Sequence, residues 1–398
     1  MQAVLVNPVF TNGNATRLIS GSELLARLCH SPFPERRQRT HIGWLHIPKT
    51  GTSFMNTIVH WACDDNIPAT LSIADMVRRE EELEAQHPGS PIFTNAWAQL
   101  DREYNVSASC FAPHGRLVDR GRRIGSGWRT HIPAVNAAEV PHLVTLMRRP
   151  MQRLSSAFYH KGGPHGIPPM DRPHLTNIQD FMRYCPSHNG AIKSQTTHCT
   201  ANSQCTGTAP NPEMQCAANK QCSYILGRPC TEAAHVRDAV RRLRSLAFTG
   251  LTEWWNESVC LFHRVLGGSP RVVEFESSRA ATTGIKSASG WYNEVSLLPA
   301  GGCGATAASP MCDQAEIMDA VLYAFAMQRF LRQIQDVTGW ACAFTDTAVD
   351  PARDSNAARS LPDGSIEALP GLRIPTFLLQ PTTGPPKLVC ADSMEPKR

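Results

Sequence analysis

The amino-acid sequence predicts an α/β fold in which a central, mostly parallel β-sheet is flanked by helices. The prediction depends on two stretches, at 41–63 and 142–159. Each contains a short apolar run of strand length, a tight loop, and then apolar residues at helical spacing. The chain has 398 residues, of which 42% are hydrophobic and 18% charged, so it can form a sizeable core. We therefore expect a single large domain.

The first stretch, HIGWLHIPKTGTSFMNTIVHWAC at 41–63, contains a loop that suits an anion. Gly51 lets the backbone approach a ligand closely, and Thr52 and Ser53 place hydroxyl groups at the start of the helix. Lys49 adds a positive charge near backbone N–H groups that have no partner within the helix. The loop resembles a Walker A loop, but its leading glycine is absent and the lysine precedes the glycine. A plain strand-to-helix turn is the alternative interpretation.

The second stretch, HLVTLMRRPMQRLSSAFY at 142–159, places another set of anion-binding groups after a strand. Pro150 suits the first turn of a helix. Guanidinium and hydroxyl groups, which suit a phosphate, gather beside the start of that helix: Arg148, Arg153, Ser155 and Ser156. Two anion sites on two strand–helix junctions indicate one ligand with two separated phosphate-like groups.

The motifs HIPKTGTSF and LMRRPMQRLSSAFY resemble the two nucleotide-binding motifs of the Golgi carbohydrate sulfotransferases. The likeness is to the branch with heparan sulfate 2-O- and 6-O-sulfotransferases and uronyl 2-O-sulfotransferase. It implies a P-loop-like fold and the donor 3′-phosphoadenosine 5′-phosphosulfate (PAPS). It also implies that the 5′-phosphosulfate is held by Lys49, Thr50, Gly51, Thr52 and Ser53, and the 3′-phosphate by Arg148 and Ser156. The position between Arg148 and Pro150, commonly acidic in the family, is Arg149 here.

Two later segments resemble further parts of the same family. LAFTGLTEWWNESVCLFHRV at 246–265 is similar to its third recurrent block, and DAVLYAFAMQRF at 319–330 to its closing helix. In the third block, Glu253 either contacts cofactor or acceptor, or favours the positive end of the following helix. The resemblance thus implies a sulfotransferase domain over 41–345. We expect 1–40 to be a stem or extension, and 346–398, rich in proline and small residues, to be poorly ordered.

His114 is the candidate catalytic base. A sugar hydroxyl becomes a good nucleophile only as its proton is removed, and histidine titrates in the right range. Between their nucleotide motifs the 2-O-sulfotransferases carry a His-Gly-His or similar element with the catalytic base. Only His114 matches it here, since Arg116 replaces the second histidine. A loop histidine bonded to backbone is the alternative role for His114, and His131 and His60 are the fallback bases.

A basic loop follows His114, and we expect it to contact an anionic glycan through Arg116, Arg120, Arg122 and Arg123. A flexible, solvated basic loop is the alternative. Nucleic acid is a less attractive partner, because the formal net charge is only +5 and no nucleic-acid-binding sequence pattern occurs.

Fourteen cysteines without any C-x-x-C spacing predict disulfides rather than metal sites. Six of them define a cysteine-rich insertion at about 185–230, which we expect to have little core of its own: Cys185, Cys199, Cys205, Cys216, Cys222 and Cys230. His198 beside Cys199 raises a zinc alternative, but the gaps fit no structural zinc site. No metal is expected.

The secretory route is the expected location. Three glycosylation sequons begin at Asn14, Asn105 and Asn256, and disulfides suit the same route. The resembling enzymes are Golgi-lumenal type II membrane proteins, yet residues 1–40 contain no apolar run long enough for an anchor. We expect a truncated lumenal portion or an incomplete gene model. A protein outside this route, with free cysteines, is the alternative.

The function implied by the resemblance is PAPS-dependent O-sulfation of a poly- or oligosaccharide, by in-line displacement with a histidine base. Two rivals share the fold. A non-catalytic glycan- or nucleotide-binding protein would lack only the base. An ATP-dependent P-loop kinase would need an acidic Mg²⁺ ligand at the end of a neighbouring strand, and Arg148 and Arg149 occupy the best such place.

Overall fold

A computed structural model of the chain describes residues 18–34, 42–47, 50–63, 67–72, 75–76, 86, 103–104, 137–150, 152–153, 156, 219–228, 230, 233–276, 317–345 and 387–391. Within these ranges there are two three-stranded sheets and six α-helices with defined bounds. Their buried apolar residues form one cluster that reaches from Ile19 near the start of the chain to Cys390 near its end.

The first sheet is parallel, with strand order β2-β3-β4. It consists of β2 (Gly43–Trp44), β3 (Leu143–Met147) and β4 (Phe248–Leu251). Trp44 is paired with Val144, and Val144 with Phe248, so residues far apart in sequence become neighbours. The predicted α/β character and the parallel arrangement of these three strands are confirmed.

Two of the strands lead into helices in the same manner. After β2, a 3₁₀ turn at Thr52–Phe54 continues into α2 (Met55–Cys63). After β4, a 3₁₀ turn at Thr252–Trp254 continues into a longer helix, α5 (Trp255–Leu266). The rings of Phe54, Phe248 and Phe262 pack against one another between sheet and helices, with centroids 5.4–6.0 Å apart. This aromatic contact fixes both helices to the sheet.

The second sheet is antiparallel and was not predicted. It has the order β1-β6-β5, from β1 (Leu18–Ile19), β6 (Lys387–Ala391) and β5 (Ala341–Thr345). A disulfide joins Cys342 to Cys390 across β5 and β6. The expectation of a poorly ordered tail over 346–398 is therefore wrong for 387–391, because these residues pair with strands on both sides.

Part of the predicted N-terminal extension also belongs to the packed structure. Helix α1 (Gly21–His30) is capped by the Ser20 hydroxyl and buries Leu24 and Leu28. It lies against α5, to which it is joined by the Cys29–Cys260 disulfide. The domain boundary predicted near residue 41 is therefore too late, because α1 packs on the core and is cross-linked to it.

Three further helices complete the described core. They are α3 (Lys220–Leu226), α4 (Ala233–Ser245) and α6 (Ile317–Thr338). The helix expected at 319–330 is confirmed by α6, whose Val321 and Leu322 are buried in the core. Most of α3 is buried too, although we assigned it to an insertion with little core. That assignment is wrong for 220–230; residues 185–218 lie outside the described ranges.

The described cysteines are all in disulfides, as the sequence predicted. Three pairs have both partners described: Cys29–Cys260, Cys222–Cys230 and Cys342–Cys390. Such bonds are typical of secreted-type proteins. None of the helices in the described ranges combines the length and apolar character needed to span a bilayer.

Candidate anion-binding site

The carboxyl ends of β2, β3 and β4 bring the predicted motifs together. The Thr252 hydroxyl, just after β4, lies 2.9 Å from the carbonyl oxygen of Thr50 and 3.1 Å from that of Met147. It therefore ties the loop after β2 to the end of β3. Because parallel strands place their carboxyl ends at one edge, both predicted anion loops lie at the same edge of the sheet.

The first loop is shaped by Gly51 and Thr50. Gly51 has φ +109°, and a Cβ atom there would lie 2.9 Å from Leu146 and 3.2 Å from Trp255. The Thr50 side chain is 2% exposed, and its hydroxyl donates to the carbonyl of Ile47 at 2.8 Å. Thr50 therefore closes the turn with its hydroxyl, whereas Gly51 allows the tight packing behind it.

The second loop begins a helix directly after β3. Pro150, Gln152, Arg153 and Ser156 have helical backbone, and the Arg153 N–H donates to the carbonyl of Arg149 at 2.9 Å. Arg148 is half-buried, and Arg149 and Ser156 are buried. Two positive side chains thus stand at the start of this helix, where the helix dipole also favours an anion.

Glu253 connects the second loop to α6. One carboxylate oxygen accepts a 2.6 Å bond from the Arg149 N–H, and the other accepts a 2.8 Å bond from the Tyr323 hydroxyl. Burial raises the pKa of Glu253, and these hydrogen bonds oppose the rise. Burial and the Glu253 charge raise the pKa of Tyr323 well above its usual value. The described contacts of Glu253 are thus internal ones that position the loop.

Gln221 on α3 holds the backbone of Arg148 from the other side. Its amide oxygen accepts from the Arg148 N–H, and its amide nitrogen donates to the Arg148 carbonyl, both at 2.9 Å. The Gln221 side chain thus bonds both the N–H and the carbonyl of Arg148, as the backbone of a neighbouring strand would. Sequence reasoning missed this clamp, because 73 residues separate the partners and no motif marks a lone glutamine.

Asp319 on α6 anchors α3 in turn. Its two carboxylate oxygens accept from the N–H groups of Gln221 (3.0 Å) and Cys222 (2.7 Å), near the start of α3. The Arg153 Nε lies 3.7 Å from the same carboxylate, and both side chains are almost fully buried. A charged network therefore continues from the second loop into the core.

Lys220 adds a titratable amine to this network. Burial and, to a smaller extent, the charge of Arg153 lower the pKa of Lys220 to about 7, although the charge of Asp319 opposes the shift. Its ammonium lies 6.0 Å from the ring centroid of Tyr224. Lys220 was not predicted to belong to the site, since its position depends on the packing of α3 against α6.

Several predicted site residues lie outside the described ranges: Lys49, His114, Arg116, Arg120, Arg122, Arg123, His131 and the side chain of Thr52. The fallback base His60 is described, and it is a core histidine. It is 2% exposed, and its Nε2 lies 2.8 Å from the carbonyl oxygen of Leu71. This environment does not suit a base that must reach a sugar hydroxyl.

Comparison with protein-family models, with curated proteins and with solved structures finds no match for this chain. The chemistry of the site therefore has to be argued from its own groups. Within the described residues these are two strand–helix junctions, the guanidinium groups of Arg148, Arg149 and Arg153, and an internal network through Gln221 and Asp319. The arrangement suits a ligand with more than one anionic group.

Proposed function

We propose that this protein transfers a sulfuryl group from PAPS to a hydroxyl of a glycan. The observation that supports it best is the meeting of two anion-binding junctions at one edge of a parallel sheet, with Arg148 at the second. PAPS carries a 5′-phosphosulfate and a separate 3′-phosphate, so it needs two such junctions. A P-loop-like fold, a Golgi-lumenal location and an anionic glycan acceptor belong to the same proposal.

The division of roles follows the chemistry of the transfer. Lys49 and the loop around Gly51 hold the phosphosulfate, and Arg148 and Ser156 hold the 3′-phosphate. The acceptor oxygen bonds to sulfur as the bond from sulfur to the bridging phosphate oxygen breaks. His114 takes the acceptor proton, and adenosine 3′,5′-bisphosphate leaves. Lys49 and the loop N–H groups stabilise the negative charge that gathers on the bridging oxygen.

The cofactor class is tested by ligand-induced thermal stabilisation. We expect adenosine 3′,5′-bisphosphate to raise the melting temperature of the protein at concentrations where AMP does not, because only the bisphosphate engages both junctions. ATP with Mg²⁺ is the third arm. Equal stabilisation by AMP and the bisphosphate would mean that Arg148 and Ser156 do not bind the 3′-phosphate of the cofactor. Selective stabilisation by ATP with Mg²⁺ would favour a kinase.

The catalytic part is tested with Lys49→Ala. Removing one donor of positive charge at the leaving oxygen typically costs ~3 kcal/mol, so we expect turnover with PAPS to fall about a hundredfold. The melting temperature should be retained. Arg237→Gln, which removes an exposed charge on α4, is the matched control and should keep full turnover. Normal turnover in Lys49→Ala would exclude the assigned role.

His114→Ala distinguishes an enzyme from a non-catalytic binding protein when turnover and affinity for the bisphosphate are both measured. In an enzyme this variant loses turnover and keeps its affinity for the bisphosphate, because the base acts on the acceptor and not on the nucleotide. In a non-catalytic protein neither the parent nor the variant transfers a sulfuryl group to any glycan, although both bind the nucleotide.

A further inference from the structure

A cavity of about 490 Å³ lies beside α4, at the amino ends of β3 and β4. Its described lining comes from the turn before β3, the end of α3 and one face of α4. The candidate anion-binding site lies at the opposite ends of the same strands, and a five-residue strand is about 16 Å long. The cavity is therefore a separate place in the molecule. Its volume falls within the range of small-molecule sites.

The charges around this cavity are unequally matched. Arg228 lies 3.5 Å from one carboxylate oxygen of Asp238, and Arg241 lies 3.1 Å from the other. Asp238 is the one carboxylate among the described lining residues, so two guanidinium groups share a single negative charge. Both arginine side chains are more than half exposed and keep further N–H donors for another acceptor.

A third arginine, Arg242, lies in the same field of charges. Burial lowers the pKa of Arg242, the neighbouring charge of Arg228 lowers it further, and the charge of Asp238 opposes the shift. The cavity also has an apolar part, where the buried side chains of Val140 and Leu226 reach its wall. Cationic groups beside an apolar wall suit a ligand that combines an acidic group with an organic body.

We propose that this cavity, the arginine pocket, binds a small organic anion whose sulfate, phosphate or carboxylate group is held by Arg228 and Arg241. The planar guanidinium group can donate two parallel hydrogen bonds to any of these oxyanions, so the same two arginines could bind all three. Among the described lining residues only Asp238 balances the charges of the arginines, so an added anion would relieve their mutual repulsion. The arginine pocket does not depend on the function proposed above.

The ligand class is tested by calorimetric titration at low ionic strength. The probes are glucose 6-sulfate, glucose 6-phosphate and glucuronate, with glucose as the neutral control. We expect at least one anionic sugar to bind, glucose not to bind, and affinity to fall as salt is added. The best of the three identifies the oxyanion. Failure of all three, or equal binding of glucose, would overturn the proposal.

Three variants test whether the anion binds in the arginine pocket, and each is expected to have a different effect on the affinity. Arg228→Gln with Arg241→Gln is expected to weaken binding about tenfold or more, because two charge-assisted contacts are lost. Asp238→Asn is expected to tighten it roughly threefold, since it removes the competing carboxylate. Arg237→Gln, exposed on the same helix but outside the pocket, should bind as the parent does.

A purely structural role for these side chains would not produce the tightening in Asp238→Asn. The melting temperature of each variant is measured first, and the substituted side chains are partly or largely exposed, so folding should be retained. Parent-like affinity in the double arginine variant, or weaker binding in Asp238→Asn, would place the anion elsewhere and refute the arginine pocket.

Discussion

Gly51 occupies a position that combines two constraints. Its φ of +109° disfavours any side chain, and a Cβ atom would also contact Leu146 and Trp255 too closely. We therefore expect Gly51→Ala to lower the free energy of unfolding by about 2–4 kcal/mol, from backbone strain plus overpacking. Chemical denaturation measures the loss.

Substitutions at two other glycines distinguish the cost of backbone strain from the cost of overpacking. Gly339 has φ +78°, and a Cβ atom there would lie within 4 Å of no described residue beyond its chain neighbours, so Gly339→Ala should cost only the backbone strain, about 1–2 kcal/mol. Gly21, at the start of α1, has neither constraint, and Gly21→Ala should be neutral or slightly stabilising. If Gly51→Ala costs no more than Gly339→Ala, the close packing against Leu146 and Trp255 contributes nothing.

Glu253 is expected to make the stability of the protein depend on pH. Burial raises the pKa of this carboxyl in the folded state, so between its ordinary value, 4.5, and the raised value the folded protein binds more protons than the unfolded chain. Stability from this group is thus complete below pH 4.5 and is lost as the pH rises through the folded pKa. Glu253→Gln imitates the protonated form and should remove this part of the decline.

The test compares the free energy of unfolding from about pH 4 to about pH 8 in the parent and in Glu253→Gln. Burial also raises the pKa of Glu257, so the parent slope contains both groups and only the difference between the two proteins isolates Glu253. Glu257→Gln is the matched control and should leave the Glu253 contribution in place. A Glu253→Gln curve parallel to that of the parent would mean that Glu253 contributes no pH dependence, contrary to a raised pKa.

At the scale of elements, α3 and α6 are joined by reciprocal contacts at their amino ends. Asp319 accepts from two N–H groups of α3, and the Asn219 side chain accepts from the N–H of Asp319 at 3.3 Å. Through Gln221, this joint also supports the Arg148 backbone. The second anion loop therefore takes its shape from two helices that follow it much later in the chain.

Asp319→Ala should be among the most destabilising substitutions on α6. It removes the buried carboxylate beside Arg153 and the acceptor of two N–H groups of α3, so we expect a loss of about 3–5 kcal/mol. Asp319→Asn keeps an oxygen acceptor and should lose less. On the same helix, Asp336 lies 4.0 Å from Arg332 in an exposed pair, and Asp336→Ala should cost less than about 0.5 kcal/mol. Equal losses in unfolding experiments at both positions would refute the joint.

The limits of sequence reasoning are visible in the same elements. β2, β3 and α2 were predicted because each carries its own signal, an apolar run of the right period and length. Gln221, Lys220 and Asp319 carry no local signal, since their roles depend on partners about 70 to 100 residues away. β6 was missed for a related reason: five residues of a proline-rich tail become a strand only by pairing with β1 and β5.

On the scale of the whole molecule, β6 joins the two ends of the described chain. It lies between β1, near residue 18, and β5, which follows α6. The loop closed by the Cys342–Cys390 disulfide spans 48 residues, and such a bond typically contributes about 2–4 kcal/mol. The core therefore depends on a segment that lies outside the domain limits expected from the sequence.

Ending the chain at residue 386 should cost more than removing that disulfide alone. Truncation abolishes the cross-link and the pairing on both sides of β6, whereas Cys342→Ala with Cys390→Ala keeps the strand and loses only the bond. We expect the denaturation midpoint to fall in the order parent, double cysteine variant, truncated chain, because strand pairing adds to the entropic effect of the cross-link. Identical midpoints for the two altered proteins would mean that β6 stabilises the molecule only through Cys390.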